Sequence, residues 1–110
     1  MSDDNELASL RDLSPQASVV RDGPVECVLL PQAHLTTAAG TVVMDTVLCP
    51  TGQGSYTTRL LLERQVTTKQ TLNWCQVSLL GRTWWTWSWN NIPAGQPWLK
   101  IFAEHARLLR

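Results

Sequence analysis

The six tryptophans of this chain all fall between positions 74 and 98, and four of them crowd into Thr83-Trp84-Trp85-Thr86-Trp87-Ser88-Trp89. In a strand, where side chains alternate sides, this segment sends Trp85, Trp87 and Trp89 to one face and Trp84, Thr86 and Ser88 to the other. A sheet built around it carries large apolar rings on both surfaces. Both surfaces then need cover, from another part of the chain or from a partner.

The rest of the sequence supplies the sheet. Val25-Glu26-Cys27-Val28-Leu29-Leu30 predicts a strand ended by Pro31, and Thr41 to Cys49, rich in β-branched residues, predicts a second ended by Pro50. Tyr56 to Val66 reads as a third, with Leu60 and Leu62 on one face. Leu72 to Leu80 begins a fourth stretch, which breaks at Gly81 and resumes through the tryptophan segment. After a turn region over Asn90 to Gly95, Pro97 is suited to the first position of a helix, where its missing N–H leaves no bond unmade. On that helix Trp98, Ile101, Phe102, His105 and Leu109 gather on one side and Lys100, Glu104 and Arg107 on the other.

Residues 1–24 read either as a short helix, with Ser2 as N-cap and Leu7, Leu10 and Leu13 docked on the body, or as a frayed tail. The expected fold is therefore α+β: a four-stranded antiparallel β-meander with a C-terminal helix and, in the helical reading of residues 1–24, a short N-terminal helix. The domain division is 1–24 as N-terminal tail or short helix and 25–110 as one domain.

Composition excludes several classes of function. The nine basic and nine acidic residues balance, so the clustered cations of a nucleic-acid binder are missing. No apolar run approaches the roughly 20 residues of a membrane-spanning helix, and the acidic start Met1-Ser2-Asp3-Asp4-Asn5-Glu6 is unlike a signal peptide. A soluble, cytoplasmic protein is expected, with no nucleic-acid or membrane partner. Cys27, Cys49 and Cys75 cannot all pair, and none stands in a CxxC or a Cys/His cluster, so no structural metal and no cofactor is anticipated. Each lies in a strand-like stretch and reads as a small buried hydrophobe in a reducing compartment.

Chemistry is not legible from motifs: there is no GxSxG, HExxH, phosphate-cradling glycine loop or telling carboxylate pair. His34 and His105 are far apart in sequence, and His105 sits on the apolar side of its helix, where a packed, hydrogen-bonded histidine is the commoner outcome. Alternation places Cys75 with Val77 and Leu79 on a core face. The tryptophans read in part as core, while Trp85, Trp87 and Trp89 are the candidate partner-binding row.

Leu80-Gly81-Arg82-Thr83-Trp84-Trp85-Thr86-Trp87-Ser88, followed by Pro93-Ala94-Gly95-Gln96-Pro97-Trp98-Leu99 and a helix bearing a histidine, resembles the C-terminal half of the prokaryotic E2 family E. These are bacterial relatives of ubiquitin-conjugating enzymes with the E2/UBC-like fold. The resemblance covers about the last 35 residues and extends more loosely upstream, through the order helix, four antiparallel strands, helix. It implies a bacterial ubiquitin-like conjugation system, with a ubiquitin-like protein and an E1-like adenylating enzyme as partners.

Departures bear on catalysis. E2 enzymes carry their modifier on a cysteine after the fourth strand, near a His-Pro-Asn, yet no cysteine follows Cys75 here. Trp89 and Asn90 stand after Ser88 where the family tends to have Arg and His, and the Tyr-Pro of E2 strands is absent. The resemblance thus implies a protein-binding scaffold without the usual catalytic cysteine, or else a non-standard conjugating enzyme. The catalytic candidates for the latter are Cys75, with Asn73 or Asn90 nearby, and His105. Two readings unrelated to conjugation stand beside these. One is a tryptophan-rich module binding a protein partner or a second copy of the chain; the other is a carbohydrate or small-ligand binder using the same tryptophans, with Asn90, Asn91 and Gln96 as its few polar partners.

Overall fold

The computed structural model describes residues 3–89 and 92–110. The fold is α+β. Helix α1 (Asp3–Leu10) precedes strands β1 (Ser18–Asp22), β2 (Val25–Thr37), β3 (Gly40–Cys49), β4 (Arg59–Leu62), β5 (Trp74–Leu79) and β6 (Arg82–Trp87). Helix α2 (Trp98–Ala106) follows and tightens into a 3₁₀ turn over Arg107–Leu109. The strands form one open antiparallel sheet in the order β1-β2-β3-β4-β6-β5.

Six strands replace the expected four, and two tight turns account for the difference. Gly23, at φ 59°, reverses the chain so that Ser18–Asp22 pairs with β2, Val20 opposite Cys27. Leu80 and Gly81, at φ 55° and 71°, make a two-residue hairpin turn of the kind whose twist matches that of strands. The stretch read as one interrupted strand is thus β5 and β6, with Trp74 opposite Trp87. The hairpin lies so that β6 pairs with β4, Leu62 opposite Trp85, which leaves β5 at the edge. The third strand is also shorter than expected, because Thr57 and Thr58 leave the ladder and donate their hydroxyls to the Ile92 carbonyl at 3.1 and 2.7 Å.

Pro31 does not end its strand. The register of β2 on β3 shifts by one residue between Leu30 and Ala33, a bulge that absorbs the proline's missing N–H. Gln32, at φ 52°, turns its backbone N–H onto the Asp45 carboxylate at 3.0 Å, and the Arg82 guanidinium reaches the same carboxylate at 3.1 Å. The Gln32 N–H and the Arg82 cation hold the Asp45 carboxyl below the usual carboxylate range.

Both faces of the sheet are buried, which explains why every residue of Arg59-Leu60-Leu61-Leu62 is inaccessible. One face carries Leu30, Leu35, Leu48, Leu60, Leu62 and Trp87 under α1 and α2. The other collects Cys27, Val47, Cys49, Leu61, Leu79 and Trp84, with Val20, Val25, Val77 and Leu80 packed around them. No helix covers this second face. Among the described residues its cover comes from the sheet's own strands and turns, and the Leu80 N–H donates to the Asp22 carboxylate at 2.7 Å where the β1–β2 and β5–β6 turns meet.

The N-terminal leucines dock as in the helical reading. Leu7 and Leu10 of α1 are buried and Leu13 is half-buried, while Ser2, the expected cap, lies outside the described residues. Pro97 takes the N-cap position of α2, one residue before the expected place, and Glu6 of α1 accepts the Trp98 N–H at 3.3 Å. A carboxylate there complements the positive end of the helix. Trp98, Ile101, Phe102 and His105 form the buried face of α2.

Candidate functional site

The candidate row of tryptophans divides. Trp87 is only 2% exposed and stacks edge-on against Trp74 and His105 at 5.5 and 6.4 Å between centroids. It is a core residue of the helix-covered face, so the row is not a continuous exposed surface. Trp84, fully buried on the opposite face, donates its indole N–H to the Leu79 carbonyl at 2.9 Å, and Arg82 lies 4.3 Å over its ring. The cover that alternation demands for Trp84 is therefore intramolecular. Three rings remain half-buried: Trp74, Trp85 and Trp89. Trp74 and Trp89 lean on the helix-covered core, whereas Trp85, among the described residues, belongs to neither packed cluster. Trp85 has Leu62 and Gln76 as its strand neighbours, and Gln76 is exposed.

The cysteines occupy one face of the sheet in two distinct settings. Cys27 and Cys49 are buried on neighbouring strands, one step beyond the Val28–Leu48 pair, thiol against thiol. Donation to Cys27 together with burial pushes the Cys49 thiol up. Cys75 keeps the strand parity expected for it, alongside Val77 and Leu79, but it is half-buried and accepts a hydrogen bond from Arg59 Nη2 at 3.3 Å. Arg59 is 6% exposed; its Nη1 donates to Gln53 Oε1 at 2.9 Å and its guanidinium lies 3.8 Å over the Tyr56 ring. Among the described residues its Nε has no partner and no carboxylate is among its contacts. Sequence reading missed Arg59 because it stands in a leucine run and belongs to no motif.

His105 is a packed histidine. The Thr58 hydroxyl donates to the Ile92 carbonyl, so it accepts the Nε2–H of His105 at 2.9 Å, which fixes the tautomer. Burial, with a smaller contribution from the Arg59 charge, pushes the His105 pKa down to about 4. No hydrogen bond joins it to Cys75 among the described residues. Asn73 is exposed and its carbonyl accepts the Ser88 N–H, while Asn90 and Asn91 lie outside the described residues. The described residues thus present no Cys–His dyad, and no His, Cys, Asp or Glu cluster among them is arranged for a metal.

Two shallow grooves lie elsewhere. One, of about 160 Å³, runs between α2 and β2 beside Leu13, His34, Leu99 and Phe102; the other, of about 200 Å³, lies at Glu6, Gln96 and Trp98. Both fall below the size that encloses most small ligands. Neither is lined by the half-buried Trp74, Trp85 or Trp89. Among the described residues no helix is long and apolar enough to cross a membrane. No family model matches the chain, and neither the curated proteins nor the solved structures contain a significant match to it.

Proposed function

We propose that this protein is a non-catalytic protein-binding scaffold whose docking surface centres on Trp85, with Trp74 and Trp89 beside it. The observation that carries the reading is that Trp85, the largest kind of side chain, belongs to neither packed cluster among the described residues. A partner that takes this ring out of water gains roughly 25 cal/mol per Å² of apolar area covered, and tryptophan is among the residues enriched at interface hot spots.

The resemblance of the C-terminal segment to prokaryotic E2 proteins gives the scaffold a setting. In this reading it is the E2-like component of a bacterial ubiquitin-like conjugation system, working in the reducing cytoplasm and binding a ubiquitin-like protein and an E1-like adenylating enzyme. Support comes from the order helix, antiparallel strands, helix along α1, the sheet and α2. The burial of Cys27 and Cys49, and the absence among the described residues of a histidine hydrogen-bonded to Cys75, favour a scaffold over a thioester enzyme.

The test is calorimetric titration with a bacterial ubiquitin-like protein. Trp85→Ser should weaken association at least tenfold while remaining folded by far-ultraviolet circular dichroism, and Cys75→Ser should bind like the parent. Unchanged binding by Trp85→Ser, or a reducible adduct at Cys75, would overturn the reading.

A further inference from the structure

We propose that β5 is a dimerisation edge, at which a second copy of this chain continues the sheet by antiparallel pairing. The evidence is the direction of backbone groups along this outermost strand. The Ser88 N–H donates to the Asn73 carbonyl at 3.2 Å, which sets the parity of the hairpin. Asn73, Cys75, Val77 and Leu79 turn their backbone groups toward β6, and Trp74, Gln76 and Ser78 turn theirs outward. The Trp74 N–H is occupied by the Leu72 carbonyl at 3.0 Å, and beyond the strand the Leu80 N–H is held by Asp22. What remains is the Trp74 carbonyl with both backbone groups of Gln76 and of Ser78, a row without protein partners among the described residues.

The two edges of the sheet are treated differently. β1 carries Arg21 and Asp22, both exposed, and Arg21 pairs with Glu26 at 2.7 Å. Charges of this kind keep strand edges from recruiting other strands. β5 reads Trp-Cys-Gln-Val-Ser-Leu, with no charge, proline or glycine, and its register on β6 is unbroken.

A second copy fits this edge because the strand is complementary to itself. On a two-fold axis through Val77, Gln76 of each copy faces Ser78 of the other, both outward-directed and both on the same face. Gln76 N–H then meets the Ser78 carbonyl and Ser78 N–H the Gln76 carbonyl, twice over by symmetry. No like charges oppose each other along the strand, and the formal net charge of zero leaves little long-range repulsion between copies. The axis is perpendicular to the sheet, so both Trp85 surfaces come to lie on one side.

Sedimentation equilibrium of the full chain tests the edge. Wild type should approach twice the 12.3 kDa chain mass as concentration rises. Ser78→Lys, at an exposed position, should raise the dissociation constant at least tenfold without altering the far-ultraviolet circular dichroism. Gln76→Pro, which deletes an outward N–H and leaves the β6 ladder intact, should do the same. Amide exchange at Gln76 and Ser78 should slow as the wild type is concentrated. Wild type that remains at single-chain mass at submillimolar concentration, including one that captures only a foreign strand there, overturns the proposal, as does Ser78→Lys associating as tightly as wild type. The proposed function fails separately: it is read from capture of the ubiquitin-like protein, which monomeric Ser78→Lys can still show.

Discussion

Arg59 Nη2 lies 3.3 Å from the Cys75 sulfur, so a guanidinium buried within the sheet meets the one cysteine that is partly accessible. Around Arg59 the other contacts are Gln53 and Tyr56, and a buried cation without a carboxylate has given up hydration that is not fully replaced. Arg59→Met keeps most of the volume and removes the charge. Its stability should match or exceed that of wild type, whereas Arg59→Ala should lose about 2–4 kcal/mol to the cavity. With the charge gone, the His105 pKa should rise, followed by NMR titration of the imidazole. Equal losses in both variants would show that the charge itself stabilises the fold.

Trp98 and Phe102 lead the buried face of α2, at 8% and 4% exposure, against the helix-covered side of the sheet. Trp98→Ala and Phe102→Ala should each lower stability by about 3–5 kcal/mol in denaturant titrations. A midpoint that hardly moves would contradict this packing.

His105 gives stability a definite pH dependence. Its folded pKa is about 4 against an ordinary value of 6.5, so below 6.5 the unfolded chain takes up a proton that the folded one refuses. The contribution is fully present above pH 6.5 and is lost as the pH falls toward 4, by up to about 1.4 kcal/mol per pH unit and about 3 kcal/mol in all. His105→Asn should flatten the slope between those limits. A parental slope that survives the substitution would assign it to other groups.

The three thiols should separate into two classes under a disulfide reagent. Cys75, half-buried, should react slowly in the native protein, and Cys27 and Cys49 only on unfolding. Cys75→Ser should abolish the native phase, and rapid native reaction at Cys75 would reopen a nucleophilic role for it.

Side-chain alternation along β6 and the apolar spacing of α2 were readable because each depends on residues close in sequence. The parity of Trp84, Trp85 and Trp87 follows directly from the strand. Which rings lie under cover does not, because α2 and the far sheet margins decide it, and neither is adjacent in sequence. Leu60-Leu61-Leu62 held an unused clue, since a continuous apolar run signals a strand buried on both faces. Pro31 misled for a local reason: a bulge opposite Asp45 lets a proline sit within a strand. β1 was hidden because Ser18–Asp22 is short and follows a loop, and the β4-β6-β5 order because strand neighbours are settled by tertiary contacts.

The bond from the Trp98 N–H to Glu6 closes a loop of 92 positions, the widest separation among the side-chain bonds described. Such contacts carry a large ordering entropy and form after local hairpins. On the ribosome, Leu30, Leu60 and Leu62 are synthesised well before the helix that covers them. The helix-covered face of the sheet therefore cannot be closed until residues 98–109 have cleared the exit tunnel, so its leucines stay uncovered longest during synthesis.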